Sequence, residues 1–236
     1  MDTKNRTAIV LGGTSGIGAA VSRQLVDAGA HVVAVSRSAG GSTHHAALDG
    51  ATLRSVDVLD RSGLERLFGE FAPFDILVNA ATGGERAIGP FLQMDLDGFQ
   101  GSFRKLWGYA NSVRLGAPRM TERGAIVLIS GSPARKATPG MSAIATVGNA
   151  VEGFVRAIAP EIAPRRINVV APGVIDTPMF AARGEQRDAF LKQATARNLI
   201  PRAGTADEVA DAVLFLIRNE FVTGTTVDVD GGALLP

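Results

Sequence analysis

The 236-residue chain contains no cysteine, one tryptophan and one tyrosine. Without a thiol there are no disulfides and no thiolate catalysis, and structural zinc loses its commonest ligand. No stretch approaches the roughly 20 consecutive apolar residues that a helix needs to cross a bilayer. Residues 1–6 are polar and the apolar run behind them breaks at Gly12-Gly13, so no export signal is expected. Charge of one sign is lacking too. Lys and Arg number 24 against 23 Asp and Glu, a formal +1, which argues against the basic footprint of a nucleic-acid binder. The expectation is a cytoplasmic protein that engages neither nucleic acid nor membrane. What the chain has in quantity is apolar side chains, 46%, and glycine, 28 residues, enough to close one α/β core at this length.

Short apolar runs rich in β-branched residues alternate with longer stretches of helical periodicity. The runs are 7–11, 31–35, 52–56, 75–78, 125–129, 167–170 and 225–229. Near-continuous apolarity means burial on both faces, which is how parallel strands between two helical layers read. Helices are expected over 17–28, 61–69, 97–115, 143–159, 185–197 and 206–218. Asp97 reads as an N-cap, Pro164 as the stop behind the fourth helix, and Thr205 with Glu208 as a capping box on the last. The alternation predicts a single α/β domain over 1–236, a doubly wound parallel seven-stranded sheet of the Rossmann type. Such sheets take ligands at the carboxyl ends of their strands, so the chemistry belongs to the loops after each run.

Gly12-Gly13-Thr14-Ser15-Gly16-Ile17-Gly18 follows the first strand and opens the first helix. Glycine there lets the backbone turn tightly and approach a pyrophosphate, and the free N–H groups of the helix start stabilise negative charge. No Gly-Lys-Ser/Thr follows, which argues against a P-loop hydrolase. The Gly-x-x-x-Gly-x-Gly spacing resembles the short-chain dehydrogenase/reductase family, and the resemblance runs over essentially the whole chain. Asp57-Val58 resembles the family's adenine-contacting pair. Asn79-Ala80-Ala81 stands where the family has its Asn-Asn-Ala-Gly stretch, and Pro172-Gly173-Val174-Ile175-Asp176-Thr177 resembles the loop around the nicotinamide. Residues 224–232 resemble its C-terminal strand and Asp-Gly-Gly ending. The resemblance implies a homodimer or homotetramer, packed through the helices over 143–159 and 185–197 and the C-terminal segment.

The end of the second strand selects between cofactors. An NAD enzyme places a carboxylate there for the ribose 2′-OH, whereas NADP needs a cation and no carboxylate. The chain has Ser36-Arg37-Ser38. Arg37 can meet a 2′-phosphate with charge-assisted bonds, with both serines donating beside it, so NADP(H) is expected.

The family's catalytic residues are a Tyr and a Lys four residues later on the helix after the fifth strand, with a Ser about thirteen residues earlier. The phenol protonates the alkoxide formed as hydride arrives, and the Lys lowers the phenol pKa. Aligning the stretch from Asn149 to Phe154 puts Ile144 at the Tyr position, Gly148 at the Lys position and Gly131 at the Ser position. None of these can transfer a proton. The family's further Asn, on the preceding helix, aligns with Lys105.

Lys105 is the best candidate for replacement chemistry, because a buried ammonium can stabilise an alkoxide and donate a proton. Ser132 and Ser130 are candidate donors to a carbonyl, Tyr109 shares a helix face with Lys105, Lys136 can attract an acidic substrate, and Trp107 is a candidate fluorescent reporter. Phe180 and Phe190 are candidates for an apolar pocket wall. His44-His45 cannot enclose a metal alone, so no metal site is expected. Three functions fit: an atypical NADP(H)-dependent oxidoreductase of a small carbonyl or alcohol with a non-standard proton donor; a non-catalytic NADP(H)-binding or redox-sensing protein; or a non-redox lyase or isomerase.

Overall fold

The computed structural model describes residues 1–38, 48–82, 86–136, 138–179 and 184–235; His44, His45 and Phe180 lie outside them. In chain order the elements are β1 (Thr7–Leu11), α1 (Gly16–Asp27), β2 (His31–Ser36), β3 (Thr52–Ser55), α2 (Arg61–Glu70) and β4 (Phe74–Asn79). Then follow α3 (Leu96–Ser102), α4 (Arg104–Gly116), β5 (Met120–Ile129), α5 (Ser142–Ile162) and β6 (Arg166–Pro172). The chain closes with β7 (Ile175–Asp176), α6 (Gly184–Thr195), β8 (Gly204–Thr205), α7 (Ala206–Arg218) and β9 (Thr226–Val229). Seven strands form one parallel sheet in the order β3-β2-β1-β4-β5-β6-β9, and β7 and β8 pair in a small separate sheet that the sequence pattern does not reveal.

The register explains why the strands are apolar on both faces. Val33, Ile9, Leu77, Ile126 and Ile167 stand side by side across five strands and all pack into the layer built with α2, α4 and α5. One residue further on, Val10, Val78 and Val127 turn to the opposite layer, formed with α1 and α7. Each fully buried Val, Leu or Ile contributes about 1.5–3 kcal/mol. With two such layers the sheet is a single Rossmann-type domain. Its strand order reverses at β1, which opens a crevice over the carboxyl ends of β1 and β4.

Two helix expectations are corrected. The stretch expected as one helix over 97–115 is two, α3 and α4, separated at Phe103, whose N–H bonds to the Gln100 carbonyl. Its N-cap is Asp95 and not Asp97: Asp95 has the extended backbone a cap requires, and its carboxylate accepts from the N–H groups of Asp97 and Gly98. The Thr205–Glu208 capping box is present. Helix α5 ends at Ile162, two residues before Pro164, with Ala163 extended as a pre-proline residue prefers.

Candidate active site

The glycine loop is a backbone-against-backbone fit. Gly12 has φ +76°, and a Cβ on it would lie 2.7 Å from the Ala81 nitrogen; one on Gly18 would lie 2.0 Å from the Gly12 oxygen. Any side chain would force β1, α1 and the loop after β4 apart. Ser15 is the N-cap residue of α1, yet its side chain makes no cap bond, so the first N–H groups of the helix have no side-chain partner from it. Thr14 is buried within the loop, Gly16 opens the helix with Ile17 behind it, and a Cβ on Gly16, at φ +51°, would lie 3.4 Å from the Thr177 Cβ across the crevice.

At the end of β2 the Ser36 hydroxyl is buried and has no hydrogen-bond partner among the described residues. An orphaned buried hydroxyl costs about 1–3 kcal/mol unless something outside the chain bonds it. Arg37 and Ser38 beside it are exposed, and no salt bridge to Arg37 is found among the described residues. The Arg37 carbonyl is held by the Ser55 hydroxyl at 2.8 Å. Asp57 accepts from the Leu59 N–H and so shapes its own turn, while Val58 is buried against Gly108.

After β4, Asn79 is fully buried. Its amide donates to Ser112 at 2.9 Å and its carbonyl oxygen accepts from the Ala81 N–H at 3.0 Å, while the Ala80 N–H reaches the Leu11 carbonyl. Asn79 therefore positions the Ala80-Ala81 backbone over the crevice. Pro172 closes β6, and a Cβ on Gly173 would lie 2.8 Å from the Asp230 Cα. Ile175 and Thr177 are buried in the loop that follows. Helix α6 is pinned to this loop by Arg187, which donates to the Asp176 carboxylate and the Thr177 carbonyl.

Lys105, in the first turn of α4, points to the end of β5. Its Nζ donates to the Ser130 carbonyl at 3.3 Å and lies 5.6 Å from the centre of the Tyr109 ring. Burial, reinforced by the nearby Arg86 guanidinium, lowers its pKa from 10.5 to about 7. Tyr109 does not share in this chemistry. It is fully buried, its hydroxyl donates to the Ile129 carbonyl at 2.8 Å, and burial pushes its pKa well above the ordinary phenol value. The lone tyrosine is core packing.

Two of the positions aligned with the family residues adjoin Ser130, Gly131 along the chain and Gly148 in space. Gly131 is extended and has room for a side chain, its nearest contact from a Cβ being Pro133 at 3.5 Å. Gly148 has none: a Cβ there would lie 2.8 Å from the Ala134 Cβ and 3.2 Å from the Ser130 hydroxyl. Ser130 is engaged with the Gly148 carbonyl at 3.2 Å. Ile144 is half-buried in the first turn of α5, and Ser132 is half-buried at the start of the 3₁₀ turn Ser132–Ala134.

Other candidates are placed elsewhere. The Lys136 ammonium bonds the Ala233 carbonyl, so it ties the loop to the C-terminal segment. Trp107 is 58% exposed and, two residues beyond Lys105, lies about 200° around the helix, away from the site. Phe190 lies half-exposed on α6. Among the described residues no group of three or more His, Asp or Glu can hold a metal, and no helix is long and apolar enough to cross a membrane. The residue that sequence reasoning missed is Arg86; no motif marks it, and only the fold carries it near Lys105.

The model of the family described as enoyl-(acyl carrier protein) reductase matches residues 12–233. A short-chain dehydrogenase/reductase of Stachybotrys chlorohalonatus is 30% identical, with 98% of each chain covered. A cyclic-di-GMP-binding biofilm dispersal mediator protein of Escherichia coli is 35% identical, with 96% of each covered. Two solved structures share the fold. One is a small-chain dehydrogenase in complex with NADPH, with TM-score 0.83, 29% identity, and 99% and 100% of the chains covered. The other is BdcA in complex with NADPH, with TM-score 0.84, 32% identity, and 98% and 95% covered. With the glycine loop, the switch-point crevice and full-length similarity in agreement, the chain belongs to the short-chain dehydrogenase/reductase family.

Proposed function

We propose that the chain is an atypical NADP(H)-dependent oxidoreductase of a small carbonyl or alcohol substrate, with the Lys105 ammonium as proton donor. The residues of the crevice fit the cofactor. The glycine loop would take the pyrophosphate, Ser36, Arg37 and Ser38 the 2′-phosphate, Asp57 and Val58 the adenine side, and Asn79 to Ala81 with Pro172 to Thr177 the nicotinamide half. The buried Ser36 hydroxyl, without a partner among the described residues, and the cradle that any Cβ would fill support this fit, as do the NADPH complexes of two similar structures. Bound there, NADPH supplies the hydride.

The observation that carries the mechanism is the position of Lys105 at the Ser130 carbonyl, with a pKa near neutrality, where the Ser130 hydroxyl in turn donates to the Gly148 carbonyl. An acid titrating near the working pH is half protonated there and still a strong donor. In the reducing direction the ammonium gives its proton to the alkoxide oxygen and the resulting amine regains one from water. Ser132 is the candidate to hold the carbonyl oxygen. Lys105→Met is expected to lower kcat about 10²–10⁴-fold in a carbonyl-reduction screen that follows NADPH consumption, with NADPH affinity retained. Full turnover in the variant would contradict the assignment.

The filled space at Gly148 favours a second reading, a non-catalytic NADP(H)-binding or redox-sensing protein, because Ala134 occupies the place a family lysine needs. The discriminating variant restores Gly131→Ser, Ile144→Tyr and Gly148→Lys, with Ala134→Gly to make room. Turnover that appears only in the restored protein selects the binding reading.

A further inference from the structure

Lys105 and Tyr109 stand one turn apart on α4, and both reach the end of β5. The Lys105 ammonium donates to the Ser130 carbonyl at 3.3 Å, and the Tyr109 hydroxyl donates to the Ile129 carbonyl, one residue back, at 2.8 Å. Two side chains of one helix face thus take two consecutive carbonyls. Side chains on a helix lean toward its N-terminus, so a residue four positions on covers the turn before it. The Tyr109 ring does this: the Lys105 nitrogen lies over it, 5.6 Å from its centre.

Tyr109 passes no proton, since burial pushes its phenol well above the ordinary range, but its place in the core is closely fixed. The side chain is buried in the layer that holds Leu128 and Val151. The hydroxyl bond sets the far end of the ring. Behind it the Ser112 hydroxyl donates to the Tyr109 carbonyl at 2.9 Å, and the Asn79 amide at the end of β4 donates to Ser112 at 2.9 Å. The face that Tyr109 turns to Lys105 is therefore set from both β4 and β5. An aromatic face is electron-rich: it attracts an ammonium and has no such hold on a neutral amine. Burial acts on Lys105 in the opposite sense, and so does the Arg86 guanidinium. The Arg86 charge, like any other around Lys105, is common to variants that differ only at Tyr109, so it cancels between them.

We propose that Tyr109 is a positioning residue for Lys105: its ring face, set by the bond from its hydroxyl to the Ile129 carbonyl, steadies the ammonium at the Ser130 carbonyl and favours the protonated side chain. This rests on the proton-donor reading only for its consequence in turnover; the contact and its effect on Lys105 need no substrate. Hydroxyl and ring have separate tasks. The hydroxyl satisfies a carbonyl at the end of β5 and sets the ring, and the ring meets the ammonium. The chain has a single tyrosine, and this is its place.

The test is nuclear magnetic resonance of the full chain, in which Lys4, Lys105, Lys136 and Lys192 are the four lysines. With labelled lysine, the side-chain signal lost in Lys105→Met is that of Lys105, and its titration midpoint is read in the wild type, Tyr109→Phe and Tyr109→Leu. Tyr109→Leu removes the face and is expected to lower the midpoint by about 0.4–0.7 pH unit. Tyr109→Phe keeps the face and is expected to leave the midpoint in place, as a tyrosine that serves stability alone would do in both variants. Because the tyrosine is single, growth on 3-fluorotyrosine labels this ring alone, and its fluorine signal is expected to titrate with the Lys105 midpoint and to lose that step in Lys105→Met. In carbonyl reduction the fall of kcat with rising pH is expected to move to lower pH in Tyr109→Leu and not in Tyr109→Phe. A midpoint that stays or rises in Tyr109→Leu, or falls equally in both variants, overturns the proposal. So does a fluorine signal without the Lys105 step, which decides the matter even where Tyr109→Leu does not fold. Full turnover in Lys105→Met counts against the proton-donor reading, and the titrations still decide the role of Tyr109.

Discussion

Replacing Lys105 with methionine offers a test that needs no substrate. The side chain keeps its length and loses its charge, so the change reads the cost of holding an ammonium in the site. In the folded protein the Lys105 pKa falls from 10.5 to about 7. The equivalent free energy is about 5 kcal/mol at about 1.4 kcal/mol per pH unit, an upper bound for a half-buried side chain that keeps some hydration. Against it stand the bond to the Ser130 carbonyl and the contact with the Tyr109 ring, together about 1 kcal/mol. A net gain of about 2 kcal/mol for Lys105→Met is expected at pH 6. Below pH 7 the lysine is protonated both folded and unfolded, and the cost is fully expressed. Between pH 7 and 10.5 the unfolded chain binds more protons, so wild-type stability rises with pH and the variant's advantage shrinks. Urea unfolding of both proteins at pH 6, 8 and 9.5, followed by circular dichroism, reads the difference while other titrations cancel. A difference that does not change with pH, or a variant less stable at pH 6, would refute the reasoning.

Four further outcomes are expected. Arg37→Glu should weaken NADPH binding at least about tenfold and spare NADH, since it places a carboxylate where the 2′-phosphate is expected; an unchanged preference in parallel titrations would count against the site. Gly18→Ala should destabilise the fold by about 3 kcal/mol and abolish NADPH binding, because its methyl meets the Gly12 oxygen; a normal thermal midpoint would contradict this. Arg166→Met should cost about 3–5 kcal/mol in urea unfolding, since the buried guanidinium holds the Leu216 and Ile217 carbonyls at the end of α7 and the Val222 carbonyl beyond it. In sedimentation the chain is expected to run as a homodimer or homotetramer, and a monodisperse monomer would contradict that.

The sheet was legible because its signal is local. Runs such as Thr7 to Leu11 are apolar at successive positions, and only a strand covered on both faces buries every one of them. The glycine loop was legible for a related reason: Gly12 and Gly18 are dictated by how closely two backbones pass, and no other residue fits. The split of the expected helix at Phe103 was not legible. Residues 96–116 keep enough helical pattern across the break to hide it, and the cap moved to Asp95 because the backbone there, not the spacing, is extended. The two-residue strands β7 and β8 carry too little pattern to be seen at all.

For the site, the sequence by itself supplied the glycine loop, the expectation of NADP(H), the alignment that sets Ile144 and Gly148 at the family's Tyr and Lys positions, and the candidacy of Lys105. These follow from residue type and position along the chain. Only the tertiary structure decided that Tyr109 is buried core rather than an acid, that Ala134 fills the space beside Gly148, and that Lys136 serves the C-terminal segment. It alone brought Arg86 to Lys105, from nineteen positions away in sequence and another part of the crevice. The physical reason is that burial and charge proximity set a side chain's proton affinity, and both are properties of the packed molecule, not of the order of its residues.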